Sequence, residues 1–582
     1  MGAAEAGEIV VGDGETLWTR WNTVAARQPD GEAVVWVRAG EPSRRWQWRE
    51  LLAAARGYAG WLKGAGVRPG EICALVIRHH ADFFPLYMGV EAAGAIPAVL
   101  AYPNSRLHPE NFREGLSGLA RKSGLDWVLT EEELGSEIAA LATGTNTTVR
   151  GILFPFGDAG GQGGARVDPG EGAGTHAAAA NPEGPCLLQH SSGTTGLQKA
   201  VVLSHRAVLE HVERYGRSIS LRPDDRIISW LPLYHDMGLI AALHLALASG
   251  VTTVQIDPFE WVQAPVLLLE QIAAERGTLT WVPNFALNLM ADRIQDDEMD
   301  GIRLDSLRMI VNCSEPVRAE SYAKFVARFE RHGLRREAMA SCYAMAETTF
   351  AVTQSEPGRP PASTQANRAA LAAGVVRKAA QDEDARLCVS SGRPIEGCAV
   401  RVEDELGNVL ADGAAGELVV ASVSLFDRYR GDAEKTAEVL CEGWYRTGDL
   451  GFVLDGEVFI IGRKKDIIIV AGKNLFPEDI EDAVGAVSGV LPGRVVAFGV
   501  DDAVLGTETV AVVAETPLGA RPERDALRRR IVEAGMAADA SISTVYLVPP
   551  RWLIKSSAGK PSRKANRERI ERLGSEAKEA FR

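Results

Sequence analysis

Short apolar runs alternate with longer amphipathic segments in the first part of the chain, and this alternation restricts the fold more than any other feature. Between residues 32 and 100, runs such as "ICALVI" and "GAIPAVL" are separated by helical patterns such as "WRELLAAARGYAGWLK". Strands that alternate with helices are typical of α/β domains. The Gly/Ala-rich residues 157–184 are expected to be a surface loop, because the same pattern resumes after them at "CLLQHS". The 582-residue length predicts roughly two to four domains.

The last part of the chain has a different pattern, in which short strands dominate. The segment "GFVLDGEVFII" indicates two strands joined by a tight turn at Asp455-Gly456, because Asp-Gly is a strong hairpin signal. A helix is expected to begin at Pro477, followed by strands at "VVAFGV", "TVAVVAE" and "TVYLV" and by a helix near Pro522. We therefore predict a small α+β domain over residues 465–582. A hinge at "GRKKD" would join it to a larger domain over residues 1–464.

Charge and composition exclude several classes of protein. A formal net charge of -14 and a pI near 5.4 argue against broad binding to nucleic acid or to anionic membranes. The seven cysteines contain no C-x-x-C pair, so they indicate neither a disulfide framework nor a zinc site. The N-terminus lacks the pattern of a signal peptide, and polar residues such as His244 and Gln255 interrupt the most apolar window. We expect a cytoplasmic protein that binds neither nucleic acid nor membrane.

Residues 190–205, "HSSGTTGLQKAVVLSH", place a cluster of Gly, Ser and Thr between two expected strands. Glycines let backbone N–H groups converge where no Cβ obstructs them, and hydroxyls add donors, so such a loop can hold a phosphate. It is not a Walker A loop, because G-x-x-x-x-G-K-[ST] is absent. An ordinary turn has the same composition, so the loop alone leaves both interpretations open. The helix that follows is expected to place Val208, Val212 and Tyr215 on one face.

Seven segments then occur in one order along the chain: "SSGTTGLQKAVVLSH", "SWLPLYHDMGLI", "NCSEPVR", "CYAMAETTF", "GWYRTGDLGF", "IIGRKKDIIIVAGKNLFPEDIE" and "IKSSAGKPSR". Together they resemble the adenylate-forming superfamily of acyl-CoA synthetases, luciferases and peptide-synthetase adenylation domains. The segments "LPLYHDMGLI", "VPNFA", "SEPVR" and "GKNLFPEDIE" are most similar to the fatty acyl-AMP ligases. An extra stretch near residues 355–388 resembles the insertion of that family. The resemblance covers essentially the whole chain.

The resemblance implies an α/β fold with a large N-terminal adenylate-forming domain of several subdomains and a small, mobile α+β C-terminal lid. It also implies that the protein uses ATP and Mg²⁺ to convert a carboxylic acid, expected to be a fatty acid, to acyl-AMP with release of pyrophosphate. In that family the acyl group then passes to the phosphopantetheine thiol of an acyl carrier protein. No carrier domain is evident in this chain, so the carrier protein is expected to act in trans. An apolar tunnel for the acid is expected within residues 235–289.

The resemblance also implies which residues bind the nucleotide. The β- and γ-phosphates would be held by Ser192, Gly193, Thr194, Thr195, Gly196 and Lys199. Gln198 and Ala200 stand where that family usually has proline and glycine. The adenine would contact Ser314, Glu315, Pro316, Tyr343 and Ala344. Tyr343 would stack on the adenine ring, and Ala344 stands where that family often has glycine. Asp449 would accept from both ribose hydroxyls, and Arg463 would reach the ribose or the phosphates.

The remaining residues that the resemblance implies would take part in the chemistry. Glu347 would help to place Mg²⁺, which prefers oxygen ligands, and Thr348 would contact the α-phosphate. His235 would line the passage in which the acyl carboxylate meets the α-phosphate. Lys560 would neutralise the negative charge that develops during adenylation. Rotation at the hinge residue Lys465 would withdraw Lys560 afterwards and open a path for the thiol.

Several of these residues have alternative interpretations that need no ligand. Glu347 could be a carboxylate at a helix N-terminus, and Asp449 an ordinary Asx-turn residue. His235 could be a packed histidine, and Lys560 one of several solvated cations in a basic tail. Two alternative functions also stay open. The first is an acyl-CoA synthetase, which shares every adenylation residue, and the second is a non-catalytic adenylate-fold protein that binds a nucleotide or acyl ligand.

Overall fold

The structure is a computed structural model of the 582-residue chain. It describes residues 11–12, 14–103, 109–139, 147–156, 181–191, 199–470, 473–502, 507–555 and 561–582. Most of the expected Gly/Ala-rich surface loop, residues 157–180, lies outside the described residues.

A nine-stranded sheet lies at the centre of the large N-terminal part, in agreement with the expected α/β class. Six neighbouring strands run parallel, and each strand added at the two ends pairs antiparallel with its neighbour. The inner strands are buried almost throughout, which is typical of parallel strands covered on both faces. In spatial order the strands are Arg393–Pro394, Ala351–Gln354, Met339–Ala344, Met309–Asn312, Leu279–Val282, Arg226–Ser229, Thr252–Ile256, Glu32–Val37 and Arg44–Gln47.

Two smaller sheets complete the first half of the chain. A parallel sheet contains Ile96–Val99, Ile72–Val76, Trp127–Thr130 and Gly151–Leu153. The second sheet is antiparallel and contains Arg428–Tyr429, Lys199–Ser204 and Pro185–Ser191, so the two strands expected around the Gly/Ser/Thr loop are present.

The helices of the N-terminal part cover these sheets. The expected helix after the Gly/Ser/Thr loop is confirmed as His205–Ser218, with Val208, Val212 and Tyr215 buried. The most apolar window forms a π-helix, Met237–His244, that continues as the α-helix Leu245–Ser249. The other α-helices are Leu17–Arg27, Trp48–Gly64, Phe83–Ala92, Pro109–Ser123, Gly135–Ile138, Pro258–Gln263, Val266–Ala274, Asn284–Arg293, Ala319–Phe329, Arg368–Ala372 and Ala433–Val439. The 3-10 helices are Glu132–Leu134, Asp297–Met299, Glu330–His332, Arg336–Ala338, Ala346–Thr348 and Lys464–Asp466.

An antiparallel sheet follows the nine-stranded sheet in sequence. It contains Cys398–Glu403, Gly416–Ser422, Trp444–Leu454, Leu440–Cys441 and Glu457–Arg463. The predicted hairpin is confirmed: Asp455 and Gly456 turn with φ of 53° and 77° between the paired strands Trp444–Leu454 and Glu457–Arg463. The stretch that resembles a family insertion contains another hairpin, with strands Ser363–Asn367 and Ala385–Val389.

The C-terminal part has its own sheets and its own apolar core, in agreement with the α+β expectation. Its sheets contain Ile468–Val470 with Lys473–Leu475, and Val495–Asp502 with Thr507–Glu515 and Ile542–Val548. Its helices are Pro477–Gly485, Arg521–Ala537, Arg563–Arg572 and Ser575–Phe581, and the first begins at the expected Pro477. Val484, Val512, Leu527 and Ile531 are fully buried between these helices and the sheet.

Within the described part of the chain, we find no helix with both the length and the apolar composition needed to cross a membrane.

Candidate active site

Several of the predicted site residues lie where parallel strands of the nine-stranded sheet end. The segments that follow four neighbouring strands at this edge contain, in spatial order, Glu347, Ser314, Phe285 and His235. Because the carboxyl ends of parallel strands meet at one edge of a sheet, ligands of α/β proteins bind there. The topology therefore brings together residues that are more than a hundred positions apart in the sequence.

Tyr429 connects two of the residues expected to bind phosphate and metal. Its hydroxyl donates to Glu347 Oε1 at 2.6 Å. Lys199 Nζ lies 3.5 Å from the same hydroxyl oxygen and 4.6 Å from the centre of the ring, within range of a cation–π contact. Burial lowers the pKa of Lys199, although the nearby Glu347 carboxylate opposes this shift. Burial and the Glu347 carboxylate both raise the pKa of Tyr429, so its phenol stays a donor.

Glu347 lies in the short 3-10 helix Ala346–Thr348 and is 7% exposed. Its neighbour Thr348 is fully buried, and the Thr348 hydroxyl lies 3.1 Å from the carbonyl oxygen of Met345 and 2.9 Å from that of Phe350. No cluster of three or more His, Cys, Asp or Glu residues that could hold a metal occurs among the residues described. A single carboxylate fits Mg²⁺ well, because this ion is usually bound by one or two carboxylates together with substrate phosphates.

Asp449 projects from a bulge in the strand Trp444–Leu454. Val419 pairs with Arg446 and Glu417 with Leu450, so residues 447–449 stand opposite Leu418 alone. Gly448 has a φ of 72°, a conformation that glycine adopts without strain. Such a bulge breaks the regular alternation of a strand and re-aims a side chain.

The two carboxylate oxygens of Asp449 already have partners. Tyr343 donates its hydroxyl to Oδ2 at 2.6 Å, and Arg463 Nε lies 2.9 Å from Oδ1. Burial and the Asp449 carboxylate raise the pKa of Tyr343. The same carboxylate raises the pKa of Arg463, so the guanidinium stays charged. The structure thus brings together three of the predicted nucleotide residues, Tyr343, Asp449 and Arg463.

The expected adenine segment forms a tight turn after the strand Met309–Asn312. Ser314 has a φ of 66°, and Pro316 is exposed. Glu315 Oε2 accepts from the backbone N–H of Phe285 at 2.9 Å, so this side chain caps the first turn of the helix Asn284–Arg293. Ala344 ends the neighbouring strand and is half-buried.

His235 lies beside the strand that precedes the Gly/Ser/Thr loop. Gln189 Nε2, on that strand, donates to the carbonyl oxygen of Tyr234 at 3.0 Å. The imidazole of His235 packs 4.9 Å from the Tyr234 ring, measured between ring centres.

Burial and the nearby Arg463 lower the pKa of the expected hinge residue Lys465 to about 8.

Six of the predicted residues lie outside the described part of the chain: Ser192, Gly193, Thr194, Thr195, Gly196 and Lys560. Tyr429 is a further residue at the site, and it was not predicted from the sequence. Its hydroxyl also lies 3.3 Å from that of Tyr445. Tyr429 carries no motif signal, and its position follows from the pairing of its short strand with Lys199–Ser204, which is apparent only in the structure.

Comparison with known proteins identifies the family and the fold. The AMP-binding enzyme family matches residues 21–430. A protein of Caulobacter vibrioides named "Putative acyl-CoA synthetase" is 30% identical over 510 residues, 86% of this chain and 86% of that protein. A long-chain-fatty-acid–AMP ligase of Mycobacterium marinum is 29% identical over 547 residues, 90% of this chain and 91% of the relative. A solved structure from studies of fatty acyl-adenylate ligases of E. coli and L. pneumophila has a TM-score of 0.85 at 24% identity, covering 95% of this chain and 97% of that one.

The fold and the family match define the class of protein: the chain belongs to the AMP-binding enzyme family. The resemblance to the fatty acyl-AMP ligases is confirmed by relatives that carry this name and match over nearly the whole chain. The chain is therefore an enzyme of the AMP-binding family, with relatives that are named as long-chain-fatty-acid–AMP ligases.

Proposed function

We propose that this enzyme activates a fatty acid with ATP and then transfers the acyl group to the phosphopantetheine thiol of a separate acyl carrier protein. One observation supports the nucleotide site most directly. Tyr429 joins Lys199 to Glu347, and Asp449 joins Tyr343 to Arg463. An ammonium and a metal-binding carboxylate suit a polyphosphate, and a carboxylate beside a tyrosine suits a nucleoside.

In the first half-reaction the fatty acid carboxylate attacks the α-phosphorus of ATP, which forms an acyl–O–P bond and breaks the bond to the β-phosphate oxygen. Both reactants are anions, so cations and oriented donors must hold them together. Lys199 and the residues 192–196 would hold the departing pyrophosphate. Asp449 would bind the ribose hydroxyls, Tyr343 would contact the adenine, and His235 would line the passage for the acid.

Mg²⁺, when bound near Glu347, would offset part of the phosphate charge. Lys560 would supply a further positive charge during adenylation. Thr348 would contact the α-phosphate, and Ala344 and the segment Ser314–Pro316 would shape the nucleotide pocket through the backbone. In this scheme residues 1–464 form the adenylation domain, with the insertion near residues 355–388, and residues 465–582 form a mobile lid.

In the second half-reaction the carrier thiol attacks the acyl carbon, the carbon–oxygen bond to AMP breaks, and the thiol proton leaves with solvent or with the AMP. A reaction of this kind needs ATP and carrier proteins, so we place the enzyme in the cytoplasm, with no nucleic acid or membrane as partner. Coenzyme A carries the same phosphopantetheine thiol, and one relative is named as an acyl-CoA synthetase. An acyl-CoA synthetase is therefore the second candidate.

Mass spectrometry of one reaction tests the proposal. It contains the protein, ATP, Mg²⁺, fatty acids of graded chain length, coenzyme A and a phosphopantetheinylated carrier protein. We expect acyl-AMP and acyl-carrier without acyl-CoA. Abundant acyl-CoA would favour the second candidate, and absence of acyl-AMP for every acid would refute acid activation.

Tyr429→Phe should weaken ATP use more than Tyr58→Phe, a matched change on the helix Trp48–Gly64.

A further inference from the structure

Glu417 is a buried carboxylate that touches two parts of the site at once. It lies on the strand Gly416–Ser422, and its side chain is 7% exposed. Its Oε1 accepts from the backbone N–H of Gly448 at 3.3 Å. Its Oε2 lies 3.0 Å from an Arg446 nitrogen and 3.2 Å from Lys464 Nζ. Gly448 belongs to the bulge that carries Asp449, and Lys464 is the first residue of the turn at the expected hinge.

The bulge needs such support because its residues leave the ladder of the sheet. Backbone groups that lose their strand partners must find others when they are buried. Thr447 donates its hydroxyl to the carbonyl oxygen of Leu418 at 2.7 Å and accepts from the N–H of Asp449 at 3.0 Å. Glu417 supplies the acceptor for Gly448, the residue between them. The bulge is thus held from two successive residues of one neighbouring strand.

The charges explain why Lys464 is drawn to the same carboxylate. Burial disfavours a charged carboxylate, but the bonds to Arg446 and Lys464 outweigh this cost and hold the pKa of Glu417 below its ordinary value. Arg446 is shared with a second buried carboxylate, Glu403, at 2.8 Å. Among the contacts described, Arg446 therefore binds both glutamates, whereas Lys464 binds Glu417 and not Glu403.

We propose that Glu417 is a positioning residue for the ribose carboxylate. It holds the bulge residues 447–449 and Lys464, the neighbour of the expected hinge residue Lys465, in one arrangement, and so keeps Asp449 aimed at the ribose. This inference rests on the proposed function, because it takes Asp449 as the group that binds the ribose hydroxyls. Glu417 touches no reacting atom in this scheme and acts through Gly448 and Lys464.

Glu403 provides a matched control for Glu417. Both are buried glutamates on adjacent strands, and both bind Arg446. The other described ion pair of Glu403 is with Arg401, at 2.6 Å, on its own strand. Neutralising either glutamate removes a buried charge beside Arg446, but only Glu417 contacts Gly448 and Lys464 among the residues described.

The test compares ATP with 2′,3′-dideoxy-ATP as substrates for acyl-AMP formation, with the acid that reacts best in the mass-spectrometric experiment held constant. The measured quantity is the ratio of the two kcat/KM values, which reports contacts to the ribose hydroxyls. The wild-type enzyme should prefer ATP, and Asp449→Asn should set the lower limit of the ratio. We expect Glu417→Gln to lower the ratio about tenfold, as loss of a group that orients a binding residue does. Glu403→Gln should keep the wild-type ratio.

A wild-type ratio in Glu417→Gln, or an equal decrease in Glu403→Gln, would overturn the inference. If Glu417→Gln does not fold, Lys464→Met replaces it, because Lys464 is 45% exposed and its loss should be tolerated. That variant should lower the ratio in the same direction, and an unchanged ratio would count against the inference. If the wild-type protein forms no acyl-AMP, the proposed function fails on its own. In that case, calorimetry would compare the affinities for AMP and for 2′,3′-dideoxy-AMP. A smaller preference for AMP in Glu417→Gln than in the wild type would support the inference, and an equal preference would overturn it.

Discussion

The interior of the C-terminal part and its contact with the rest of the chain are built in different ways. Inside, fully buried aliphatic residues such as Val512 and Leu527 pack between helices and sheet. At the contact with the insertion hairpin, one ring, Phe476, reaches an apolar cluster of the N-terminal part. Ion pairs dominate the remainder: Asp479 with Arg368 at 2.8 Å and with Arg386 at 3.2 Å, and Asp482 with Arg318 at 2.5 Å.

The difference bears on the proposed movement of the C-terminal part as a lid, because it concerns the contact that would have to open. Exposing an apolar core to water destabilises the protein in proportion to the area exposed. When an ion pair opens, by contrast, its charged groups are hydrated again, which offsets part of the loss. A part with its own core and a charged contact surface can therefore be re-seated without unfolding. By contrast, Tyr343 lies on a buried strand of the nine-stranded sheet, and Glu347 lies in the buried 3-10 helix that follows that strand.

The largest effect is expected inside the C-terminal core. Leu527→Ala removes a fully buried side chain from the helix Arg521–Ala537 and should cost about 2–5 kcal/mol of stability. Hydrogen–deuterium exchange should increase in the strands Val495–Asp502 and Thr507–Glu515 and stay unchanged in the nine-stranded sheet. Met536→Ala, on the same helix but 64% exposed, is the control. An equal increase in both sheets would show that the two parts unfold together.

The next effect separates the two half-reactions. Lys560→Ala should slow adenylation about a hundredfold, as loss of one key electrostatic donor does. Transfer from supplied acyl-AMP to the carrier should remain close to wild type, because that step involves no attack on phosphorus. Rapid-quench measurement of each half-reaction checks this, with Lys564→Ala on the same basic tail as control. Equal slowing of both steps would remove Lys560 from the adenylation role.

A smaller effect is expected at the charged contact. Arg386 is 8% exposed, donates to the carbonyl oxygen of Ile461 at 2.8 Å and lies 4.8 Å above the Phe476 ring. Arg386→Met should lower the protection of the helix Pro477–Gly485 against exchange by about 1–3 kcal/mol. Arg377→Met in the same hairpin, which breaks an exposed pair with Glu383, should leave this protection unchanged. Equal protection in both variants would show that the ion pairs do not hold the contact.

The smallest effect depends on pH. Burial raises the pKa of Glu481 to about 7, although two bonds from Arg563 oppose the shift and the nearby Glu478 carboxylate adds to it. An acid whose pKa is raised by folding stabilises the fold below its ordinary pKa, and this contribution is lost as the pH rises through about 7. Between pH 5.5 and 7.5 the wild type should therefore lose more stability than Glu481→Gln, by at most about 2 kcal/mol. Urea unfolding at both pH values measures this, and parallel losses would contradict it.

The sequence predicted local features of the fold well, because their causes lie within a few residues. Asp455-Gly456 can adopt the conformation of a hairpin turn, and Pro477 suits the first turn of a helix. The family motifs also identified Tyr343, Asp449 and Arg463, which the structure places in contact. Their roles toward a nucleotide stay predictions.

Contacts between distant residues were not predictable in the same way. Tyr429 meets Lys199 across 230 positions and Glu347 across 82, and nothing near Tyr429 in the sequence indicates either contact. Glu417 is similar to any glutamate in a strand until the bulge opposite it is known. Arg563 binds Asp466, Glu478 and Glu481 only because the last helices fold back against the hinge and the helix Pro477–Gly485.

The pairing of Asp449 with Arg463 would link the binding of the nucleotide to the movement of the hinge. Arg463 ends its strand immediately before the turn Lys464–Asp466, and its bond occupies one of the oxygens that a ribose would use. A nucleotide that takes this oxygen weakens the bond to Arg463 and so loosens the start of the hinge. Thermodynamic reciprocity then requires that any movement of the hinge that frees Arg463 strengthens nucleotide binding by the same factor. Retention of the nucleotide and the position of the lid would thus share one coupling free energy.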